Sequence, residues 1–541
     1  MSRRRHHATI PWGWLSRTIG PLAVVLLVLL AACRGGEAAD SSGNRHFLVT
    51  LSSDIRSTNP GVNRDANTDT VMMHIVEGLV GYREDGTPGL LLAESMEVSD
   101  DGLEYLFKLR DGLKFHNGAP VTSAEVVWSW RRYLDPATGW TCLSDFDGTN
   151  GNRVEEVRAV GRLKVLFRLN RPQPLFLSQM AAINCGAGAI LHPSSVDAQG
   201  QWRVPVATGP YRLVEWKRGD SIQLEAFPEY LPRPEPRDGN TGAKQALEKH
   251  LTFLVIRDAA SRLAALDKGQ VEVMPEVPAA EMRQIRHIKR VRLVSAPMLG
   301  SYGILVQNQD PLLADGRIRQ AIALAIDRDA LADIVNEGTA VGNPSIVANA
   351  SVFHPPASIL GGKPDLERSR ALLREAGYDG APIVLSTNRR YPAMFNQALL
   401  VQAMCRQVGL NIRIEVLEWA AQMDRWRAGK FQLLSFGFSA RADAAGSYSF
   451  ILGDRARNPS RIWDNPEALA LLEQSLRTGD GERRHELFDQ LHLLMLKDVP
   501  YIGLFSPADI NAVREDVDGF ESWMFGRARY WGVHRVREGA R

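Results

Sequence analysis

Two short segments carry the charge and aromatic character needed to hold a small charged molecule. The first is Asn388-Arg389-Arg390-Tyr391, which follows an apolar run at 382–387 and precedes a helical pattern. The second is Phe436-Gly437-Phe438-Ser439-Ala440-Arg441, which follows another apolar run at 431–436. A guanidinium beside a helix N-terminus suits a carboxylate, because its planar fork and the free backbone N–H groups both donate to oxygen. Glycine at 437 would let a ligand backbone approach closely. Arg389, Arg390 and Arg441 together favour an anionic ligand, with Asp443 two residues further on as the nearest carboxylate.

Motifs for bond-making chemistry are absent. There is no G-x-S-x-G elbow, no Walker loop, no H-E-x-x-H and no zinc-ribbon spacing. His74-Ile-Val-Glu77 has a spacing that puts both side chains on one helix face, but it stands alone. No carboxylate pair is singled out by its spacing, and neither a metal nor a cofactor is called for.

The segments around these residues read as alternating strands and helices. Pro382–Ser386 is a strand, 393–408 a helix ended by Gly409, and Leu410, Ile412, Ile414 and Val416 alternate as the next strand. That is a βαβ unit and implies a parallel or mixed sheet. A second such stretch runs from the strand at 431–436 into a helix at 465–476. Upstream, residues 96–115 read as a β-meander between Asp-Gly turns. Thr122-Ser-Ala-Glu125 is a capping box for a helix that stops at Asp135-Pro136. Tyr211–Trp216 and Ser221–Phe227 form a hairpin. A single helix is expected from Asp315 to Gly338, with Ile318, Ile322, Ala325 and Ile326 on one face.

The chain has 541 residues, which implies several domains. Lys and Arg number 64 against 62 Asp and Glu, for a net charge of +2. Residues 1–32 hold four arginines and no acid, so the remainder has 60 against 62. A near-neutral chain lacks the phosphate-neutralising charge on which nucleic-acid binding depends. Arg3, Arg4 and Arg5 precede a twelve-residue apolar stretch, Pro21–Ala32. That is too short to span a bilayer and reads as the core of a signal peptide. It ends in Leu30-Ala31-Ala32-Cys33, so Cys33 is the expected lipidation site and 33–45 a flexible tether. In the oxidising compartment that export implies, Cys142 and Cys185 are the expected disulfide and Cys405 a buried free thiol. The junction near residue 300 has no Pro/Gly-rich linker. Strands are therefore expected to cross directly between two lobes near 298–308 and 501–513, as a hinge beside a cleft.

Taken in order, a set of motifs resembles the family-5 extracellular solute-binding proteins of ABC importers, the oligopeptide-, dipeptide- and nickel-binding group. They are Glu77-Gly-Leu-Val80, Leu92-Ala-Glu-Ser95, Val98-Ser-Asp-Asp-Gly102, Phe107-Lys-Leu-Arg-Asp-Gly112 and Phe115–Glu125. Further on come Ala207-Thr-Gly-Pro-Tyr211, Ile318-Arg-Gln-Ala321, Ala325-Ile-Asp-Arg328, Leu372–Tyr378, Glu418-Trp419 and Val517-Asp-Gly519. The resemblance implies an α/β, two-lobed periplasmic binding protein fold of type II with an extra domain. Its divisions would be a signal peptide at 1–32, a tether at 33–45, and lobe I at 46–76, 206–300 and 509–541. The extra subdomain would be 77–205 and lobe II 301–508.

In the dipeptide-binding branch an Arg-x-Tyr step holds the ligand's α-carboxylate, and Arg389 and Tyr391 fit it. A Gly-Trp-x-x-Asp segment there supplies an aromatic wall and a partner for the α-ammonium. Here Phe438 stands in the tryptophan's place and Arg441 in the aspartate's. An arginine cannot bind an ammonium, so either Asp443 takes that role or the ligand lacks a free amino end. Trp140 and Arg64 lie in segments that face the cleft or the ligand in relatives. The resemblance further implies a monomer that captures a peptide or other small anionic solute and passes it to a membrane permease. A non-peptide solute such as a nickel chelate, an opine or a saccharide is the alternative reading, and an extracellular hydrolase a more distant one.

Overall fold

The computed structural model describes residues 45–149, 151–456 and 458–536. The expected signal peptide, Cys33 and nearly all of the tether lie outside the described residues. Among the described residues no helix is long and apolar enough to cross a membrane.

Two mixed sheets organise the chain. The first has seven strands in the order Val291–Pro297, Ala508–Arg514, Val273–Met274, Phe47–Leu51, His250–Val255, Ser221–Ala226 and Tyr211–Lys217. Phe47–Leu51 runs parallel to both His250–Val255 and Val273–Met274. Ala508–Arg514 runs antiparallel to Val273–Met274 and to Val291–Pro297. The second sheet has six strands in the order Val341–Gly342, Tyr501–Ser506, Ser301–Val306, Leu433–Phe438, Ile383–Thr387 and Ile412–Val416. Its last three are parallel, and Ser301–Val306 runs antiparallel to its two neighbours.

The chain passes between the sheets twice, through Met298–Gly300 and through Pro507 alone. The expected crossing strands are therefore present, and the two passages touch: the Met298 N–H donates to the Pro507 carbonyl at 2.9 Å. Strand polarity is the same for both sheets at this junction. The register of Pro297 with Ala508 puts the crossing at the carboxyl end of the first sheet's parallel strands. The pairing of Ser301 with Phe438 puts it at the carboxyl end of the second sheet's. Both sheets thus present the strand ends favoured by ligands to one junction.

A four-stranded antiparallel sheet, Ala93–Val98, Glu104–Leu109, Lys164–Leu169 and Val154–Ala159, carries the helix Ser123–Leu134. Thr122 caps that helix reciprocally with Glu125, as its sequence requires. Trp130, Phe107 and Phe167 are fully buried between helix and sheet, and each such ring contributes roughly 1.5–3 kcal/mol by burial. Cys142 and Cys185 form a disulfide beneath it, and Cys405 is a buried free thiol. Burial raises that thiol to about 12, which keeps it unreactive.

Two local expectations need correction. The helix expected over 315–338 is two helices, Gly316–Leu324 and Arg328–Asn336. Asp327 breaks it by accepting from the Ala330 N–H as the cap of the second. His74 and Glu77 do not share a helix face, because the preceding helix ends at Met72. His74 accepts from the Tyr530 N–H at 3.0 Å through its Nε2, and Glu77 pairs with the buried Lys244.

Candidate functional site

The second sheet's strand ends are tied together by buried amides. Asn388, directly after Ile383–Thr387, accepts from the Tyr391 N–H at 3.0 Å and donates to Gln422 Oε1 at 2.9 Å. Gln422, in the helix Trp419–Arg427, donates in turn to the Ser435 carbonyl at 2.8 Å. Gln397, in the helix Pro392–Arg406, donates to Ser435 Oγ at 2.7 Å. All three amides are buried, Gln397 Oε1 alone lacks a partner, and the network ties the residue after Ile383–Thr387 through Gln422 to Ser435 on the neighbouring strand.

That arrangement joins the two sequence-derived segments through one aromatic cluster, whose Phe436 and Phe438 are buried. Tyr391 is 37% exposed and stands edge-on to Trp419 at 4.9 Å. Trp419 lies 6.2 Å from Phe436, and Phe436 lies 5.0 Å from Phe438. Phe438 meets Phe450 at 4.7 Å, and the Arg441 guanidinium sits 5.5 Å from the centre of the Phe450 ring. Arg389 is exposed, with its guanidinium 4.5 Å from the Phe395 ring centre. Among the described residues no carboxylate lies within ion-pair distance of Arg389, Arg390 or Arg441. Ser439 is exposed at the tip of its strand.

Arg441 is held at the junction itself, its N–H donating to the Leu299 carbonyl of the first crossing at 3.2 Å. Its neighbours Ala440 and Ala442 pack on the core that includes the first sheet. The Nε–H is buried without a partner. Desolvation, with the Arg461 charge second, lowers its pKa from the usual arginine value.

Several expected site residues are placed otherwise. Asp443 is engaged by Arg484 at 2.7 and 2.8 Å and caps the helix Ala444–Tyr448, so its carboxylate is not open to a ligand ammonium. The space beside Gly437 is filled by Tyr302, its cross-strand partner, whose ring carbon would lie 2.6 Å from an added Cβ. The close approach that glycine permits is thus made by a side chain of the protein. Trp140 is buried, not cleft-facing. Its indole donates to the Cys185 carbonyl at 2.8 Å, and its ring packs on Tyr133 and Phe146.

On the first sheet's side, Arg64 pairs with the buried Asp69, Nε to Oδ1 at 2.9 Å, and Arg527 approaches the same carboxylate at 4.0 Å. Burial raises the Asp69 pKa despite these cations. Asp509, the second residue after the Pro507 crossing, is pushed up to about 6 by burial, eased by hydrogen bonds from Asn511 and Trp523. Asp509, Tyr302, Phe450 and Arg461 escape a sequence reading, since nothing in their local spacing marks them.

Comparison with known proteins adds to this geometry. Residues 87–458 match the family model described as bacterial extracellular solute-binding proteins, family 5 Middle. The dipeptide-binding protein of Escherichia coli is 27% identical over 510 residues, covering 87% of this chain and 90% of that one. A glutathione-binding protein of Pectobacterium atrosepticum is 25% identical over 492 residues, covering 87% and 91%. A solved periplasmic binding protein from Helicobacter pylori, in complex with a peptide, superimposes with a TM-score of 0.72 at 21% identity. It covers 91% of this chain and 98% of its own.

Proposed function

The chain belongs to the family-5 bacterial extracellular solute-binding proteins, and we propose that within this family it captures short peptides or closely related anionic solutes for a membrane permease. The family is one of binding proteins, not enzymes. Binding is then reversible capture: a solute docks at the strand ends, the lobes close about the two crossings, and the buried complex is delivered. Closure strengthens each charge-assisted hydrogen bond by excluding water.

One observation carries this reading. Arg389 and Tyr391 stand at a strand end beside the inter-sheet junction, and no carboxylate of the described residues engages Arg389. An exposed guanidinium with no carboxylate partner, on a segment whose Tyr391 stands edge-on to Trp419, can receive a carboxylate carried on a small, partly apolar body. Similarity to a dipeptide-binding and a glutathione-binding protein supports the same class of solute.

The protein is further proposed to act as a monomer anchored to the membrane by a lipid on Cys33. A Cys33→Ser variant should then move from the membrane pellet to the soluble fraction; an unchanged distribution would remove the anchor. Native mass spectrometry of freshly purified protein tests the capture itself. A retained mass that dissociates on unfolding and fragments as a peptide supports the reading. Absence of any binding by thermal shift across a di- and tripeptide panel contradicts it.

A further inference from the structure

Two guanidinium groups meet at Phe450, one against its ring and one on its backbone carbonyl, without a counter-charge among the described residues. Arg441 lies against the face of Phe450, its guanidinium carbon 5.5 Å from the ring centre. Arg461 donates from Nη1 to the Phe450 carbonyl at 2.7 Å. Among the described residues, no carboxylate lies within ion-pair distance of either. The Arg441 guanidinium makes no hydrogen bond among them, and its Nε–H is sealed from solvent. The aliphatic part of Arg441 crosses Gly446, where an added Cβ would lie 3.9 Å from Cδ and Nη1. The only acid within ten residues of Arg441, Asp443, is bound by Arg484.

Like charges brought together in a partly dry place repel, and an unsatisfied guanidinium donor loses its hydration without return. Such an arrangement is stabilised by an anion that both groups can share. Phe438, whose ring touches Phe450 at 4.7 Å, ends the strand next to the one that leads to Arg389. Neighbouring strands lie about 4.8 Å apart. The two places therefore lie at the ends of neighbouring strands.

We infer that Arg441 and Arg461 form a second anion subsite, so that the preferred solute carries an acidic group at each end and no free α-ammonium. The inference rests on the peptide-capture reading above and names the chemical class within it: short peptides whose amino end is acylated by a diacid.

Three probes test it by isothermal titration calorimetry: alanyl-leucine, its N-acetyl derivative and its N-succinyl derivative. The wild-type protein should bind the succinyl peptide at least about tenfold more tightly than the acetyl peptide, the gain of one charge-assisted pair. The free-amine peptide should bind most weakly. Arg461→Gln should erase the succinyl advantage while leaving acetyl affinity within about twofold, and Arg441→Gln should erase it as well. Circular dichroism melts check folding, and Arg461→Gln carries the test if Arg441→Gln does not fold. Tightest binding of the free-amine peptide, or a succinyl advantage that survives in folded Arg461→Gln, overturns the inference and leaves peptide capture standing. Failure of all three probes to bind the wild type overturns both.

Discussion

The Met298 N–H donates to the Pro507 carbonyl at 2.9 Å, so the two chain passages between the sheets are bonded to each other at the point where they cross. A pair of passages locked this way bends as one strip. Gly300 completes the strip: an added Cβ would lie 2.9 Å from the Phe438 carbonyl and 3.5 Å from Pro507 Cγ. Gly300→Ala should therefore destabilise the fold by about 1–3 kcal/mol through overpacking against backbone. Urea unfolding followed by tryptophan fluorescence measures it, and an unchanged midpoint would show that the junction has slack.

The Cys142–Cys185 disulfide closes a sequence separation of 43 residues. Chain-entropy reasoning for a loop of that size gives about 4 kcal/mol as the upper scale of its contribution. The bond also lies under Pro60-Gly61, whose carbonyl at Gly61 accepts from the Thr141 N–H at 3.0 Å and its hydroxyl at 2.7 Å. The double Cys142→Ser, Cys185→Ser variant should lose about 2–4 kcal/mol in chemical denaturation. Thr141 and the Trp140 indole should also lose hydrogen-exchange protection. Full retention of stability and protection would contradict this placement.

Buried histidines predict the acid response. Burial lowers His74 to about 3, and His116 and His492 to about 4, all from an ordinary 6.5. A histidine depressed in the folded state binds fewer protons there than when unfolded. It supports the fold above pH about 6.5, and that support is lost as pH falls toward 4. Asp509 acts in the opposite sense: raised to about 6, its contribution is fully present below its ordinary 3.8 and lost as pH rises through 6. The three depressed histidines outweigh the raised carboxyls of Asp509 and Asp69, so stability should fall between pH 6.5 and 4.5. Equal urea midpoints at those two values would contradict the assignment.

Asp509 gives a separable prediction. Its carboxylate has no cation within 4 Å among the described residues, and its Oδ2 accepts from Asn511 at 2.9 Å and Trp523 at 3.2 Å. Asp509→Asn removes the desolvated charge and should raise stability at pH 8 by about 1 kcal/mol, with a smaller gain at pH 5. The same gain at both values would mean that charge is not the cause.

Much of the fold was legible because hydrophobic period and cap chemistry agreed. Ile412, Ile414 and Val416 alternate and form a strand, and Thr122 with Glu125 caps the helix that Asp135-Pro136 ends. The missing linker near residue 300 pointed to direct crossings, and they are there. The break at Ala325–Asp327 was hidden, because Ile322, Ile326 and Leu331 are all buried and the apolar period runs through it. Gly437 signals a close approach, but only the fold says that Tyr302 fills the space, and Trp140, placed at the cleft by resemblance alone, is buried against Tyr133 and Phe146. Arg461 lies twenty positions beyond Arg441, and their meeting at Phe450 depends on a chain reversal with no local signature.

The central claim is that a solute carboxylate is held at the second sheet's strand end by Arg389. Calorimetry of wild type and Arg389→Ala with one N-acylated dipeptide, alongside melting curves of both, tests it most directly. The account predicts a loss of affinity of about 30-fold or more, the scale of a charge-assisted pair in a closed site, with unfolding midpoints within about 1 °C. Equal affinities would contradict it.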